Sequence, residues 1–133
     1  MKMRLAVVAA GACMLLAGVP AIAHHSFAAE FDASKPVKLT GTVTKIEWMN
    51  PHAYFYIDVK DESGKVTNWG MEMGSPNGLM RAGWTRNTMK VGDVVTVEGS
   101  LAKDGSHTGN ARSVTLKDGQ RLFAASSQQQ ANP

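Results

Sequence analysis

Three histidines carry the most chemistry in this chain: a pair at positions 24 and 25, and a third at position 52. His24 takes its meaning from what precedes it. Lys2 and Arg4 form a short basic start, Leu5 to Ala17 is an apolar run, and Gly18-Val19-Pro20 breaks that run. Ala21-Ile22-Ala23 then supplies the small-x-small pattern cleaved by signal peptidase. Cleavage after Ala23 makes His24 the first residue of the mature chain. Its α-amine, with an ordinary pKa of about 7.7–8.0, and its imidazole Nδ1 can then chelate one metal ion. A second imidazole completes a T-shaped, three-nitrogen histidine brace, an arrangement that suits tetragonal Cu(II). His52 is the expected third ligand, because Asn50-Pro51 sets it in a constrained loop. His25 competes, since the amine, the first amide nitrogen and its own Nδ1 bind Cu(II) locally without any fold. A blander reading stands beside these: a solvated histidine pair, and a His52 that caps a turn through its ring nitrogens.

The aromatic residues offer a different chemistry. Tyr54 and Tyr56 share the polar face of one strand with Asp58, and with Trp48 and Asn50 they outline a surface for a glycan, a peptide or a protein partner. The alternative is cross-strand packing beneath the N-terminal segment, with Phe27 or Phe31 covering the rings. Met49, Met71 and Met73 bring thioethers that favour Cu(I), but Met71 and Met73 share a face with Trp69, the usual look of a core stripe. His107 lies in Asp104-Gly105-Ser106-His107-Thr108-Gly109, whose composition already explains it as a loop. Glu72 and Asp58 are a carboxylate pair that neighbouring strands can bring together. No GxSxG elbow, HExxH helix or glycine-rich phosphate loop is present. These residues therefore describe a binding or accessory module more than an enzyme. The second choice is an envelope interaction module without metal, and the third is oxidase-type copper chemistry at His24.

Export changes the charge and redox arithmetic. The formal charge of the whole chain is +3, but two of its 14 lysines and arginines leave with the leader, so 12 face 11 acidic residues. A mature charge of +1 removes the electrostatic case for a nucleic-acid partner. Cys13, the single cysteine, leaves as well, so neither a disulfide nor a cysteine nucleophile remains. The apolar run is too short for a bilayer-spanning helix of about 20 residues, which predicts a periplasmic or secreted protein with no membrane span in its mature form.

These residues must be positioned by a mostly β scaffold. Val37, Leu39, Gly41 and Val43 alternate with Lys38, Thr40, Thr42 and Thr44, the period of a half-buried strand. The apolar phase then slips to Ile46 and Trp48, which predicts a bulge near Thr44-Lys45. Asn50-Pro51 marks a turn, and Phe55, Ile57 and Val59 carry a second strand. Asp61-Glu62-Ser63-Gly64 turns into a third strand with Trp69, Met71 and Met73 on one face. Ser75-Pro76 starts a short helix as N-cap and first helical residue. Val95 and Val97 carry a fourth strand, Val114 and Leu116 a fifth, and Asp118-Gly119 turns the chain before Leu122 and Phe123. Three strands, a helix and two strands is the order of the OB fold, a five-stranded Greek-key barrel; another small antiparallel barrel, or an open sheet with one helix, is the alternative. The expected organisation is a signal peptide over 1–23, an N-terminal segment over 24–35, the barrel over 36–123, and a disordered tail over 124–133.

The motifs, taken in order, resemble domain-of-unknown-function family 6152, a family of exported bacterial proteins. They are His24-His25-Ser26-Phe27, Asn50-Pro51-His52, Ser75-Pro76-Asn77, Arg81-Ala82-Gly83-Trp84, Gly92-Asp93 and Asp118-Gly119. The resemblance covers nearly the whole mature chain and implies an envelope protein with a small β-barrel domain. It implies no particular activity.

Overall fold

A computed structural model describes residues 27–126. A single turn, α1 (Phe27–Glu30), leads directly into β1 (Phe31–Glu47), a strand of 17 residues. The chain continues through β2 (Tyr54–Lys60), β3 (Val66–Glu72), α2 (Pro76–Arg81), β4 (Val94–Ala102), β5 (Thr108–Thr115) and β6 (Arg121–Phe123).

β1 serves two partners in succession. Its first part, from Phe31 to Thr42, pairs antiparallel with β4, and its second part, from Thr42 to Glu47, pairs antiparallel with β2. The register against β2 slips between Val43 and Lys45. An extra residue there flips the apolar phase, as the Thr44-Lys45 slip predicted, and lets one strand turn the corner between two partners. β2 pairs with β3, β4 with β5, and β5 with β6, all antiparallel. A short parallel contact of Gly70, Met71 and Glu72 with Thr108, Gly109 and Asn110 joins β3 to β5. That contact closes the strands into a ring in the order β1-β2-β3-β5-β4, with β6 outside it on the free edge of β5.

The ring encloses the core. Val43, Phe55, Ile57, Met71, Met73, Val95, Val97 and Val114 are at most 1% exposed. α2 adds Leu79, and Trp84 follows it into the same cluster. The helix starts as its sequence predicted: the Ser75 hydroxyl accepts from the Gly78 N–H, and Pro76 takes the first turn.

Both ends of the ordered domain extend past the expected boundaries. β1 begins at Phe31, inside the 24–35 segment expected to precede the barrel, because backbone pairing with Ala102 and Leu101 requires no side-chain period. Phe31 itself is buried. At the other end, Ala124 and Ala125 are buried rather than part of a loose tail. The Ala124 N–H donates to the Arg112 carbonyl, and the Ala124 carbonyl accepts from the Gly74 N–H. Small side chains are what this close seam admits: a Cβ on Gly74 would lie 2.8 Å from the Ala125 oxygen. The fifth strand also starts earlier than expected, at Thr108, and Leu116 lies just beyond its end. Among the described residues no helix is long and apolar enough to cross a membrane.

Candidate functional site

His52 sits in the connection between β1 and β2, directly after the cis Asn50–Pro51 peptide. The β2–β3 ladder continues past its strands at this point. The Met73 N–H donates to the Ala53 carbonyl at 2.8 Å, and the Ala53 N–H donates to the Gly74 carbonyl at 3.0 Å. This pins the backbone immediately after the histidine. His52 Nδ1 lies 2.9 Å from the Met73 carbonyl oxygen. A carbonyl only accepts, so Nδ1 carries the proton, and in the neutral ring Nε2 keeps its lone pair. The side chain is 31% exposed.

Glu72 stands behind this ring. Its Oε1 is 3.7 Å from His52 Nδ1, and its Oε2 accepts the Tyr54 hydroxyl at 3.0 Å. Burial holds the Tyr54 phenol well above the ordinary tyrosine range; the neighbouring Glu72 carboxylate adds to the shift, with smaller contributions from Glu30 and Tyr56. The phenol is therefore a fixed donor, and Glu72 a fixed acceptor.

The remaining candidates are distributed as follows. Tyr54, Tyr56 and Asp58 share one face of β2, as alternation predicted. Tyr56 lies across Gly70, where a Cβ would meet its ring at 3.1 Å, and Lys45 Nζ is 5.4 Å from the ring centroid. Both tyrosines are thus engaged by the sheet's own side chains. Trp48 is half-buried against the core, while Asn50 is exposed. Met71 and Met73 are core residues. His107 tilts against Trp69, with ring centroids 5.1 Å apart. Glu72 and Asp58 do not pair, because the register sets Glu72 opposite Tyr54 and Asp58 opposite Asn68. His24 and His25 lie outside the described residues. Among the described residues no three His, Cys, Asp or Glu side chains gather closely enough to hold a metal ion.

Sequence reading passed over three residues of this neighbourhood: Glu72 as the partner of His52 and Tyr54, Glu30, and Asn110, which the ring closure places opposite Glu72. The hairpin turn did contain part of the signal. Counting nine residues in each direction from Ser63 reaches Tyr54 and Glu72.

Five strands closed in this order, with a helix between the third and fourth, define a small OB-like module. The chain belongs to the family of unknown function DUF6152, whose model matches residues 12–127. No curated protein matches it in sequence. Among solved structures it is similar to Rim1, a mitochondrial single-stranded DNA binding protein from S. cerevisiae, at 11% identity and a TM-score of 0.49, over 62% of this chain and 92% of that one. It is also similar to the N-terminal domain of PriB protein from Thermoanaerobacter tencongensis, at 21% identity and a TM-score of 0.45, over 62% of this chain and 96% of that one. A third likeness is to a mutant of TiaS crystallised with agmatine, at 25% identity and a TM-score of 0.47; the chain spans 22% of that protein and 64% of its own length matches.

Proposed function

We propose that this chain is an exported binding or accessory module that holds one Cu(II) ion between its mature N-terminus and His52. The amine and the Nδ1 of His24 supply two nitrogens, and Nε2 of His52 supplies the third. The reading rests on cleavage after Ala23, which the Ala21-Ile22-Ala23 pattern supports. The observation that carries it is the anchoring of His52. A metal-ligating histidine commonly donates its other ring N–H to a carbonyl or carboxylate, which sets its tautomer and orientation. His52 has the Met73 carbonyl at its Nδ1 and the Glu72 carboxylate beyond it, and its ring is still partly open to solvent.

The test is a Cu(II) titration of mature protein beginning at His24, followed by electron paramagnetic resonance. Intact mass of the protein exported by a bacterial host checks the cleavage site first. One tight equivalent is expected, with nitrogen hyperfine structure that changes in His52→Ala. One glycine added before His24 separates the amine from the imidazole and should weaken binding by orders of magnitude. Glu72→Gln should cost about 10–100-fold in affinity, the usual effect of losing a group that supports a ligand. Binding indifferent to His52 would reduce the site to a local peptide chelate at His24-His25. No tight equivalent would overturn the copper reading, and retention on glycan and peptide arrays with Tyr54→Ala and Tyr56→Ala would then be the next measurement.

A further inference from the structure

An open groove lies on the outer face of β1, β4, β5 and β6, and it shares no residue with the His52 neighbourhood. Val95, Val97 and Val114 turn into the core, so alternation sends Thr96, Glu98 and Thr115 outward. Register then sets Thr40, Thr96, Thr115 and Arg121 side by side across the four strands. Lys38 and Glu98 stand next to this row, opposite each other on β1 and β4. These six residues line a volume of about 530 Å³, within the size range of small-ligand sites.

Donors outnumber free acceptors here. Glu98 is the one carboxylate of the groove, and its Oε2 is already engaged by Arg121 Nη2 at 2.7 Å and by the Ser113 hydroxyl at 3.3 Å. It turns toward β6 in doing so. Lys38, although directly opposite it, is exposed and has no ion-pair partner among the described residues. Arg121 commits Nε and Nη2 to Ser113 and Glu98, which leaves Nη1 its donors. The floor between these two cations is made of hydroxyls. Those of Thr40 and Thr96 are 2.8 Å apart, so one donates to the other and the pair keeps a free O–H as well as lone pairs. Thr115 adds a third hydroxyl. A floor that both donates and accepts suits a ligand with hydroxyls of its own, since such groups join into mutually strengthening chains. No aromatic side chain lines the groove, so a nucleobase finds nothing to stack on.

We propose that this groove binds an acidic saccharide, with a ligand carboxylate at Lys38 and ring hydroxyls over Thr40, Thr96 and Thr115. Arg121 Nη1 receives a second acidic unit at the far end. β1 and β6 are three strand spacings apart, roughly 14 Å, so a short oligomer of uronic acid units meets both cations. Charge complementarity carries the choice: one carboxylate is satisfied within the groove, while the donors of Lys38 and of Arg121 Nη1 are not. The inference requires neither copper nor cleavage after Ala23.

The experiment titrates the protein, purified from a bacterial host and held in excess chelator, with trigalacturonate, and follows backbone amide resonances. Saturable shifts are expected at Thr40, Thr96 and Thr115, and none at Tyr54 or Tyr56. Maltotriose, a neutral trisaccharide, should bind at least about tenfold more weakly, because it offers no charge-assisted hydrogen bond. Lys38→Gln should weaken trigalacturonate binding about threefold to fivefold, the scale of a solvent-exposed ion pair, and Lys38→Arg should restore it. Lys38 is exposed, so these changes leave the fold intact. Glu98→Gln removes the competing carboxylate from Arg121 and should tighten binding. Threonine resonances that do not move, maltotriose binding as tight as trigalacturonate, or Lys38→Gln without effect would each overturn the proposal. Equal binding of triglutamate would overturn it too, and would give the groove to acidic peptides. None of these readouts involves His52 or a metal, so the outcome is separate from that of the copper titration.

Discussion

His52 owes its candidacy to the carbonyl behind it more than to being a histidine. A ring with both nitrogens in water is a weak, mobile ligand, whereas the Met73 carbonyl holds this one at Nδ1 and leaves Nε2 its lone pair. Trp84 shows the same coupling of a side chain to one backbone oxygen inside the core. Its ring is 2% exposed, and its Nε1 donates to the Phe123 carbonyl at 2.8 Å. Trp84→Phe keeps most of the apolar contact but leaves that carbonyl without its donor, and should cost about 1–3 kcal/mol. Trp84→Ala also opens a cavity, and should cost about 3–5 kcal/mol. Urea unfolding of the two variants separates the hydrogen bond from the packing. Equal losses would show that the Phe123 carbonyl finds another donor.

β4 and β5 approach each other closely at Gly99. A Cβ on Gly99 would lie 1.7 Å from the Asn110 carbonyl oxygen. Backbone on both sides leaves nothing flexible to give way, so Gly99→Ala must force β4 and β5 apart where the ring is being closed. Gly119 makes a useful contrast. It has φ of +88° in the turn before β6, and a Cβ there would find nothing within 4 Å. Gly119→Ala therefore meets only the left-handed backbone penalty of about 1–2 kcal/mol, while Gly99→Ala should exceed it clearly. Thermal unfolding of the pair checks the order, and a milder Gly99→Ala would mean that the seam can open at little cost. The same seam explains what was hard to read in the chain. Alternation located β1 to β4 because their apolar residues line one face. β5 instead begins Thr108-Gly109-Asn110, where a glycine faces inward and a buried asparagine faces outward, so its start resembled a loop.

Taken as a whole, the molecule keeps its turns through aspartates, and this gives it a common response to acid. Asp61 is held below the ordinary carboxylate range chiefly by the Ser63 hydroxyl, with the Lys65 and Ser63 N–H groups adding to it. Asp104 is lowered in the same way by Ser106, and Asp93 chiefly by the Lys90 N–H, with Lys117 helping. A folded pKa below the unfolded one contributes stability that is present above the unfolded value, about 3.9 for aspartate, and is lost as pH falls through the folded value. Urea midpoints should therefore be flat above about pH 5 and fall between about pH 4 and pH 2. Asp61→Asn should flatten part of that fall while lowering the midpoint at neutral pH. An unchanged acid slope would show that Asp61 keeps a similar interaction in the unfolded chain.

The sequence by itself determined the strand faces, the bulge at Thr44-Lys45, the Ser75-Pro76 helix start and the tight turns. All of these are local, written in spacings of two residues, in caps and in turn chemistry. The pairing of Tyr54 with Glu72 needed the observed register, which centres the turn on Ser63. Only the tertiary structure decided that β3 meets β5 and that Asn110 is thereby set beside Glu72. Those pairings join residues far apart in the chain, and no local pattern records them. They arise because a strand bent across two partners must close its ring before its apolar face is buried.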